Sequence, residues 1–212
     1  MTFHCEGQSV TMVAIPAPIP APEIDAAAEA SFMWPDAKEA MKAMRAHAIL
    51  ASIQDQKPTH ESAVQLAVLN TRLAASLCSC GSAVGVYWGS AALLHEPEAF
   101  AEFASTLLED GTLPVMLWIN IMVGAKGPKG PFNLSTHGMG SFGHKEFEIL
   151  GSTMPPNDLR MMIMDVIGYV LENGPVLKHG ETFGPDEDTE WSVEHTTSTI
   201  TKGLPVIRLG FQ

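Results

Sequence analysis

The residues from Leu113 to Leu150 place the strongest constraint on the fold. An uninterrupted apolar run, Leu113 to Val123, is followed by a glycine-rich turn and then by Lys145 to Leu150, in which charged and apolar side chains alternate. Alternation is typical of a strand with one buried face, and a long apolar run favours a central strand. This stretch therefore predicts a central strand followed by two antiparallel strands, Phe132 to Ser135 and Lys145 to Leu150, of which the second is half exposed to solvent.

The rest of the chain contains both helical and extended patterns. Helices are predicted after Pro35, from about Glu61 to Cys78, after Pro97 and after Pro156. The first of these helices has Ala37, Ala40, Met41 and Met44 on one face. Strands are predicted at Val10 to Ile15, at His47 to Ile53, which pairs with the first, and at Ala83 to Trp88. Helices between the early strands and adjacent strands later in the chain predict an α+β fold, a mixed and largely antiparallel β-sheet packed against several α-helices. We expect a single domain over residues 1–212. Within it, residues 1–34 form a Pro-rich N-terminal edge strand and an extended connector.

Composition limits the classes of partner. Twelve Lys and Arg residues against 24 Asp and Glu residues give a net charge of −12, which repels nucleic acid and anionic membranes and favours a cationic partner. No apolar run approaches the roughly 20 residues that span a bilayer. The apolar N-terminal segment has no preceding Lys or Arg and is interrupted by prolines, so export is not expected. Three cysteines that cannot all pair within the chain favour reduced thiols and a cytoplasmic protein.

The turn after the apolar run carries a dinucleotide-binding spacing without its context. Gly138, Gly140 and Gly143 satisfy GxGxxG, but the segment that follows alternates like a strand, and the fingerprint needs a helix there. We therefore interpret the glycines as a turn between two strands and predict no cofactor.

The same region suggests an enzymatic alternative. His137, His144, Glu146 and Glu148 are imidazole and carboxylate groups, and alternation places the two glutamates on one strand face. A small hydrolase or metal-dependent enzyme using His137, His144 and Glu146 would need the histidines to turn toward that face, and no HExxH spacing is present. On the preferred interpretation the glutamates are solvated and the protein binds no metal.

A cysteine nucleophile is a further alternative. Cys78 could act with His95 or His60, because such partners meet in space and not in sequence. The spacing of Cys78 and Cys80 suits neither CxxC redox chemistry nor a zinc knuckle.

The densest acidic run surrounds an aromatic residue near the C-terminus. Asp186, Glu187, Asp188 and Glu190 precede Trp191. Carboxylates steer a basic protein surface and an exposed aromatic side chain anchors it, so these five residues are the predicted partner-binding site, with Glu146 and Glu148 as a second patch. The competing interpretation is a solvated loop with Trp191 in the core.

Three segments carry a family resemblance: LPVMLWINI, THGMGSFGHKEFEIL and, after a helix, VLKHGETFGPDEDTEW. In this order they resemble a bacterial family of unknown function. The resemblance covers roughly Trp34 to the C-terminus and is most specific in Thr136 to Glu148 and Gly180 to Gly184. Some members lie beside type VI secretion effectors, which implies an immunity or accessory role. The family supplies no established catalytic residues to carry over.

Charge and resemblance together predict a protein that acts by binding. The expected function is that of an immunity protein that neutralises a cognate antibacterial toxin. The expected toxin is a basic nuclease, whose positive cleft an acidic protein can occupy. The alternatives are the hydrolase described above and an adaptor or chaperone that loads the effector. Self-association stays open.

Overall fold

The computed structural model describes residues 1–53, 57–125, 127, 130–184 and 190–211. Over these ranges the chain forms α-helices, short 3-10 turns and strands arranged in three sheets. The helices are α1 (Ala21–Ala30), α2 (Ala37–Ala40), α3 (His60–Ser79), α4 (Pro97–Glu109), α5 (Val115–Trp118) and α6 (Pro156–Asn173). The strands are β1 (Thr2–Cys5), β2 (Gln8–Ile15), β3 (His47–Ile53), β4 (Val86–Trp88), β5 (Leu93–His95), β6 (Asn120–Ala125), β7 (Phe132–His137), β8 (Glu146–Ser152), β9 (Thr182–Phe183), β10 (Trp191–Thr197) and β11 (Pro205–Phe211). Mixed, mostly antiparallel sheets with helices confirm the predicted α+β class.

The chain divides into two compact units, Met1–Asn120 and Ile121–Gln212. The N-terminal unit holds β1 to β5 and α1 to α5, and the C-terminal unit holds α6 and a six-stranded sheet. The single domain expected over residues 1–212 stays a prediction. Of the helices in the described ranges, none combines the length and the apolar composition that a membrane crossing needs.

The N-terminal unit begins with an antiparallel three-stranded sheet in the order β1-β2-β3. The predicted pairing of β2 with β3 is confirmed, and Val13 lies opposite Ile49 across the two strands. The prediction that β2 is an edge strand is wrong, because β1 pairs with its other side.

The Pro-rich connector is also partly helical. Pro20 precedes the first residue of α1 and Pro22 lies in its first turn, where the missing N–H of proline has no intrahelical acceptor to lose. The helix buries Ile24 and Ala27, so the extended connector predicted for this segment is wrong from residue 21 onward. After the helix, the Ser31 hydroxyl donates to the Ala27 carbonyl at 2.7 Å and accepts from the Leu94 N–H at 2.8 Å, which ties α1 to β5.

The helix predicted after Pro35 is short. It comprises α2 and a single 3-10 turn at Met41–Ala43. Its apolar face is nevertheless as predicted: Ala37 and Met41 are buried in a cluster with α1, and Ala40 and Met44 pack against that cluster.

The longer helices agree with their sequence patterns. The predicted Glu61 to Cys78 helix is α3, the helix after Pro97 is α4, and the helix after Pro156 is α6, which ends at Gly174. In each case periodic apolar residues coincide with a start signal, either the Thr59 N-cap of α3 or a proline in the first turn.

The central strand predicted from Leu113 to Val123 is wrong. Its first half folds as α5, a single turn that buries Val115, Leu117 and Trp118, and the indole N–H of Trp118 donates to the Thr71 hydroxyl of α3 at 2.8 Å. Its second half is β6, which lies at the end of its sheet. A continuous apolar run reports burial but not whether the buried backbone is helical or extended.

The C-terminal unit is built on a sheet in the order β6-β7-β8-β11-β10-β9. Strand β8 pairs antiparallel with β7 and parallel with β11, and β10 pairs antiparallel with β11 and β9. The predicted antiparallel pair of β7 and β8 is confirmed. Because β11 returns beside β8 after α6, the last strand of the chain lies in the middle of the sheet.

Strands β7 and β8 are joined by the glycine-rich segment. It forms a 3-10 turn at Met139–Phe142, flanked by Gly138 with φ of +124° and Gly143 with φ of +81°. Both values lie where side chains with a Cβ are strained, so the interpretation of these glycines as a turn is confirmed. No helix follows that could bind a pyrophosphate group there, since β8 begins at Glu146.

The two glycines of this turn should differ in their tolerance of alanine. Gly138→Ala is expected to lower the free energy of unfolding by about 1–3 kcal/mol, because alanine is strained at that φ. Gly140→Ala is the matched control: its φ is not positive and the nearest atom to an added Cβ, Glu146 Oε1, is 4.0 Å away. Urea unfolding of both variants measures the difference. Equal stabilities would contradict this account of the turn.

Candidate functional site

Glu148 is the most heavily hydrogen-bonded carboxylate in the described part of the chain. It lies on β8 in register with Arg208 of β11, which in turn lies opposite Glu194 of β10. The guanidinium group donates to Glu148 Oε1 from Nε at 3.0 Å and from Nη2 at 2.8 Å, and Nη1 reaches Glu194 Oε2 at 3.3 Å. Three neighbouring strands are therefore joined by one row of alternating charges.

The other oxygen of Glu148 holds a turn. The Ser198 hydroxyl and the Thr199 and Ile200 N–H groups donate to Oε2, the two amides at 3.1 Å, and these residues form the connection between β10 and β11. The Glu148 side chain is completely buried. Burial raises the pKa of this carboxyl, but the hydrogen bonds from Ser198, Arg208 and Ile200 and the Arg208 charge outweigh it, so the pKa lies below its ordinary value.

Glu146 is enclosed by the glycine turn. Its Oε2 accepts from the Thr136 hydroxyl at 2.8 Å, and Oε1 accepts from the Gly138 and Gly140 N–H groups at 3.0 and 3.3 Å. Only 7% of the residue is exposed. The half-exposed strand predicted here is wrong, because loops cover the glutamate face of β8 while Phe147 and Ile149 are buried on the opposite face. Glu146 and Glu148, the second predicted partner-binding patch, therefore have no exposed carboxylate for a partner to contact.

The predicted acidic site is only partly within the described residues. Asp186, Glu187 and Asp188 lie outside them. Glu190 is exposed, whereas Trp191 is only 7% exposed and packs edge-on against Phe183 with ring centroids 5.1 Å apart. Trp191 is therefore a core residue in this structure and offers little surface as an aromatic anchor.

The geometry gives little support to the enzymatic alternative, a hydrolase or metal-dependent enzyme using His137, His144 and Glu146. His137 is exposed at the end of β7 and His144 follows the turn, but both oxygens of Glu146 are already occupied by donors. Over the described ranges, no group of three or more His, Cys, Asp or Glu side chains is arranged to hold a metal ion.

The geometry also gives little support to Cys78 as a nucleophile. Burial raises the pKa of the Cys78 thiol, which disfavours the reactive thiolate. His95 is buried, its Nε2 lies 3.1 Å from the Leu117 carbonyl, and its ring packs against Phe100. Burial lowers the pKa of His95 to about 4, so it is neutral near pH 7 and serves the core.

An acidic surface that sequence analysis overlooked lies on α4. Glu98, Glu102 and Glu109 are all exposed, and at 100° per residue they fall within about 40° of one another around the helix. The Ser105 hydroxyl, on the same stripe, donates to Glu109 Oε1 at 2.9 Å. None of the three glutamates has an ion-pair partner within the described ranges. We call these three residues the α4 acidic stripe.

The stripe has a signal in the sequence. No Lys or Arg occurs between Arg72 and Lys126, and the three glutamates have helical spacing. The run before Trp191 was predicted as the binding site instead, because four of the five residues from 186 to 190 are acidic.

Part of the chain matches a known family model. Residues 135–210 match a domain of unknown function, DUF4261. This segment resembles a family without an assigned function. The DUF4261 segment covers just over a third of the chain and includes both buried glutamates and the Arg208 that binds Glu148. No curated protein and no solved structure matches the chain.

Neutralising Glu148 should destabilise the protein strongly. Glu148→Gln keeps the side-chain volume but removes the charge and turns an NH2 group toward groups that are themselves donors. We therefore expect the free energy of unfolding at pH 7 to fall by about 3 kcal/mol, which is the low end of the cost of breaking a buried ion pair. Glu194→Gln is the control. Its carboxylate is half exposed, so its loss should cost under about 1 kcal/mol. Equal costs in chemical unfolding would contradict the assignment.

The effect of Glu148 should also depend on pH. Since its pKa in the folded protein is below the ordinary 4.5, the wild type should keep its full advantage over Glu148→Gln above about pH 4.5 and lose it as the pH falls through the folded pKa. Unfolding free energies of both proteins from pH 7 to pH 3 measure this difference. An advantage that grows on acidification would be the opposite of what a lowered pKa produces.

Proposed function

We propose that this protein acts by binding and neutralising a cationic protein, as the immunity protein of an antibacterial toxin. The observation that carries the proposal is the α4 acidic stripe, an exposed row of carboxylates with no ion-pair partner among the described residues, in a chain of net charge −12. The family resemblance supports the choice of a toxin as the partner. Some relatives lie beside type VI secretion effectors, and this is a position in which immunity proteins are expected.

The dimensions of the stripe suit a protein partner. Glu98 and Glu109 are 11 residues apart, so the stripe is about 16 Å long. The opposite side of α4 buries Phe100 and Ala104, which fixes the helix and the direction of its glutamates. A rigid row of charges loses less conformational freedom on binding than a row on a mobile segment.

Charge explains how neutralisation would work. A toxin that cleaves nucleic acid needs a positive cleft, and exposed carboxylates accelerate encounter with such a surface and can occupy it. The stripe is the exposed acidic surface proposed to meet the cleft, and the run from Asp186 to Glu190 remains a second contact predicted from the sequence. Occupation of the cleft blocks access of the substrate to the active site.

Neutralising the stripe should slow association with the toxin. In the triple variant Glu98→Gln, Glu102→Gln, Glu109→Gln we expect the association rate constant at low salt to fall about tenfold and its salt dependence to weaken, because three steering charges are lost. The candidate partner in this experiment is the product of the adjacent gene. Surface plasmon resonance at several NaCl concentrations gives the rates, and growth on co-expression gives protection.

A second triple variant controls for net charge. Glu29→Gln, Glu61→Gln, Glu172→Gln removes the same charge from three other exposed residues and should change the rate less than about threefold. If both triple variants act equally, net charge and not the stripe steers binding. Neutralising residues 186, 187, 188 and 190 together tests the acidic run predicted from the sequence.

The same co-expression separates immunity from the alternatives. An immunity protein rescues growth and co-purifies with the toxic domain. An effector-loading adaptor would co-purify with the translocation domain and give no rescue. A chain that neither rescues growth nor co-purifies would remove the proposal altogether.

A further inference from the structure

A groove of about 990 Å³ opens in the N-terminal unit beside β3. One wall consists of the consecutive residues 43–50 and another of the consecutive residues 82–90, while α3 contributes Ala74 and Leu77 and the start of α1 contributes Glu23. Successive side chains of a strand point to opposite faces of the sheet. A wall made of consecutive strand residues is therefore the edge of the strand.

The edge that borders this groove is unprotected. Strand β3 is the last strand of its sheet, and in the described parts of the chain no other strand pairs with its outer side. Its sequence, HAILASI, has no Lys and no Pro, and 49% of Ile49 is exposed. Natural edge strands are usually short, charged, bulged or covered, because a long apolar edge pairs readily with other chains.

We propose that the groove binds one extended segment of a partner protein, which adds to β3 as a fourth strand. Addition to a sheet edge is a recurrent mode of peptide recognition, in which main-chain hydrogen bonds give affinity and side-chain pockets give specificity. From the usual spacings of strands and sheets, a strand residue occupies about 160 Å³, so the groove holds about six residues. Of the seven residues of β3, the first four, His47 to Leu50, line the groove.

The two walls select a single chain over a second copy of this protein. In a second copy, β3 is backed by β2 along its other edge, so a strand of that copy would bring its neighbouring strand into the wall formed by residues 82–90. A peptide segment without a backing strand avoids this clash.

Charge defines the chemistry of the segment. Glu23 is exposed on the groove and has no ion-pair partner in the described ranges. Burial raises the pKa of Tyr87, as do its hydrogen bond to Glu23 and the Glu23 charge, so a neutral hydroxyl faces the carboxylate. Arg45, the groove's cationic residue, donates to the carbonyl oxygens of Lys42 and Met44. The segment should carry apolar side chains at alternate positions and a Lys or Arg toward Glu23.

This site is separate from the proposed toxin interface. Its lining contains none of the three glutamates of the α4 acidic stripe. Failure of toxin neutralisation therefore leaves the groove untouched, and loss of peptide binding leaves the immunity proposal untouched.

Selection from a display library of random heptapeptides tests the site on the full chain. Enriched peptides should alternate apolar residues and carry a basic residue, and their synthetic forms should bind in fluorescence anisotropy.

Ile49→Lys places a charge on the edge and should weaken binding at least about tenfold. Val13→Lys, its cross-strand neighbour outside the groove and 45% exposed, should stay within about twofold. Glu23→Gln should abolish the preference for a basic residue.

Hydrogen exchange distinguishes the mode of binding without any variant. A bound strand should slow amide exchange within residues 47–52 of β3 and leave β2 unchanged. The proposal is overturned if no peptide is enriched, if Ile49→Lys and Val13→Lys bind equally, or if a bound peptide leaves β3 exchange unchanged. Light scattering that shows a dimer dispersed by Ile49→Lys alone would assign the edge to a second copy instead.

Discussion

The ion pair between Glu148 and Arg208 is the interaction on which the C-terminal unit depends. Strand β11 reaches the centre of the sheet only after α6 and the β9 and β10 strands, so its position beside β8 is set by contacts between residues 60 apart. A buried carboxylate is costly unless donors surround it, and Glu148 receives donors from β11 and from the turn that precedes it. The strand and the turn are thereby held in one arrangement.

Local patterns predicted the elements that local forces determine. The helices α3, α4 and α6 have both an apolar periodicity and a start signal, and β7 and β8 flank a segment whose glycines adopt positive φ angles. In each case the residues that decide the structure are neighbours in the chain. The Pro-rich segment was predicted to be extended because prolines at alternate positions favour an extended chain. The first turn of a helix also accepts proline, and α1 begins there.

Long-range contacts explain what could not be predicted. Alternation in β8 correctly indicated a strand but not burial of its polar face, since the residues that cover Glu148 come from positions 198–200. The first half of the apolar run forms α5, whose Trp118 donates to the Thr71 hydroxyl of α3, 47 residues away in the sequence. The α4 acidic stripe is visible in the sequence as helically spaced glutamates without nearby Lys or Arg. The partner-binding site was nevertheless predicted at the denser acidic run before Trp191.

Carboxylates thus have two separate uses in this chain: those of β8 are enclosed and stabilise the fold, while those of α4 face solvent and are available to a partner. The most direct test is an NMR titration of the Glu148 side-chain carboxyl carbon in the intact protein. A buried, charged and fully hydrogen-bonded group should titrate below the ordinary pKa of 4.5. A midpoint at or above 4.5 would mean that Glu148 is not held as an ion by Arg208 and would contradict the arrangement.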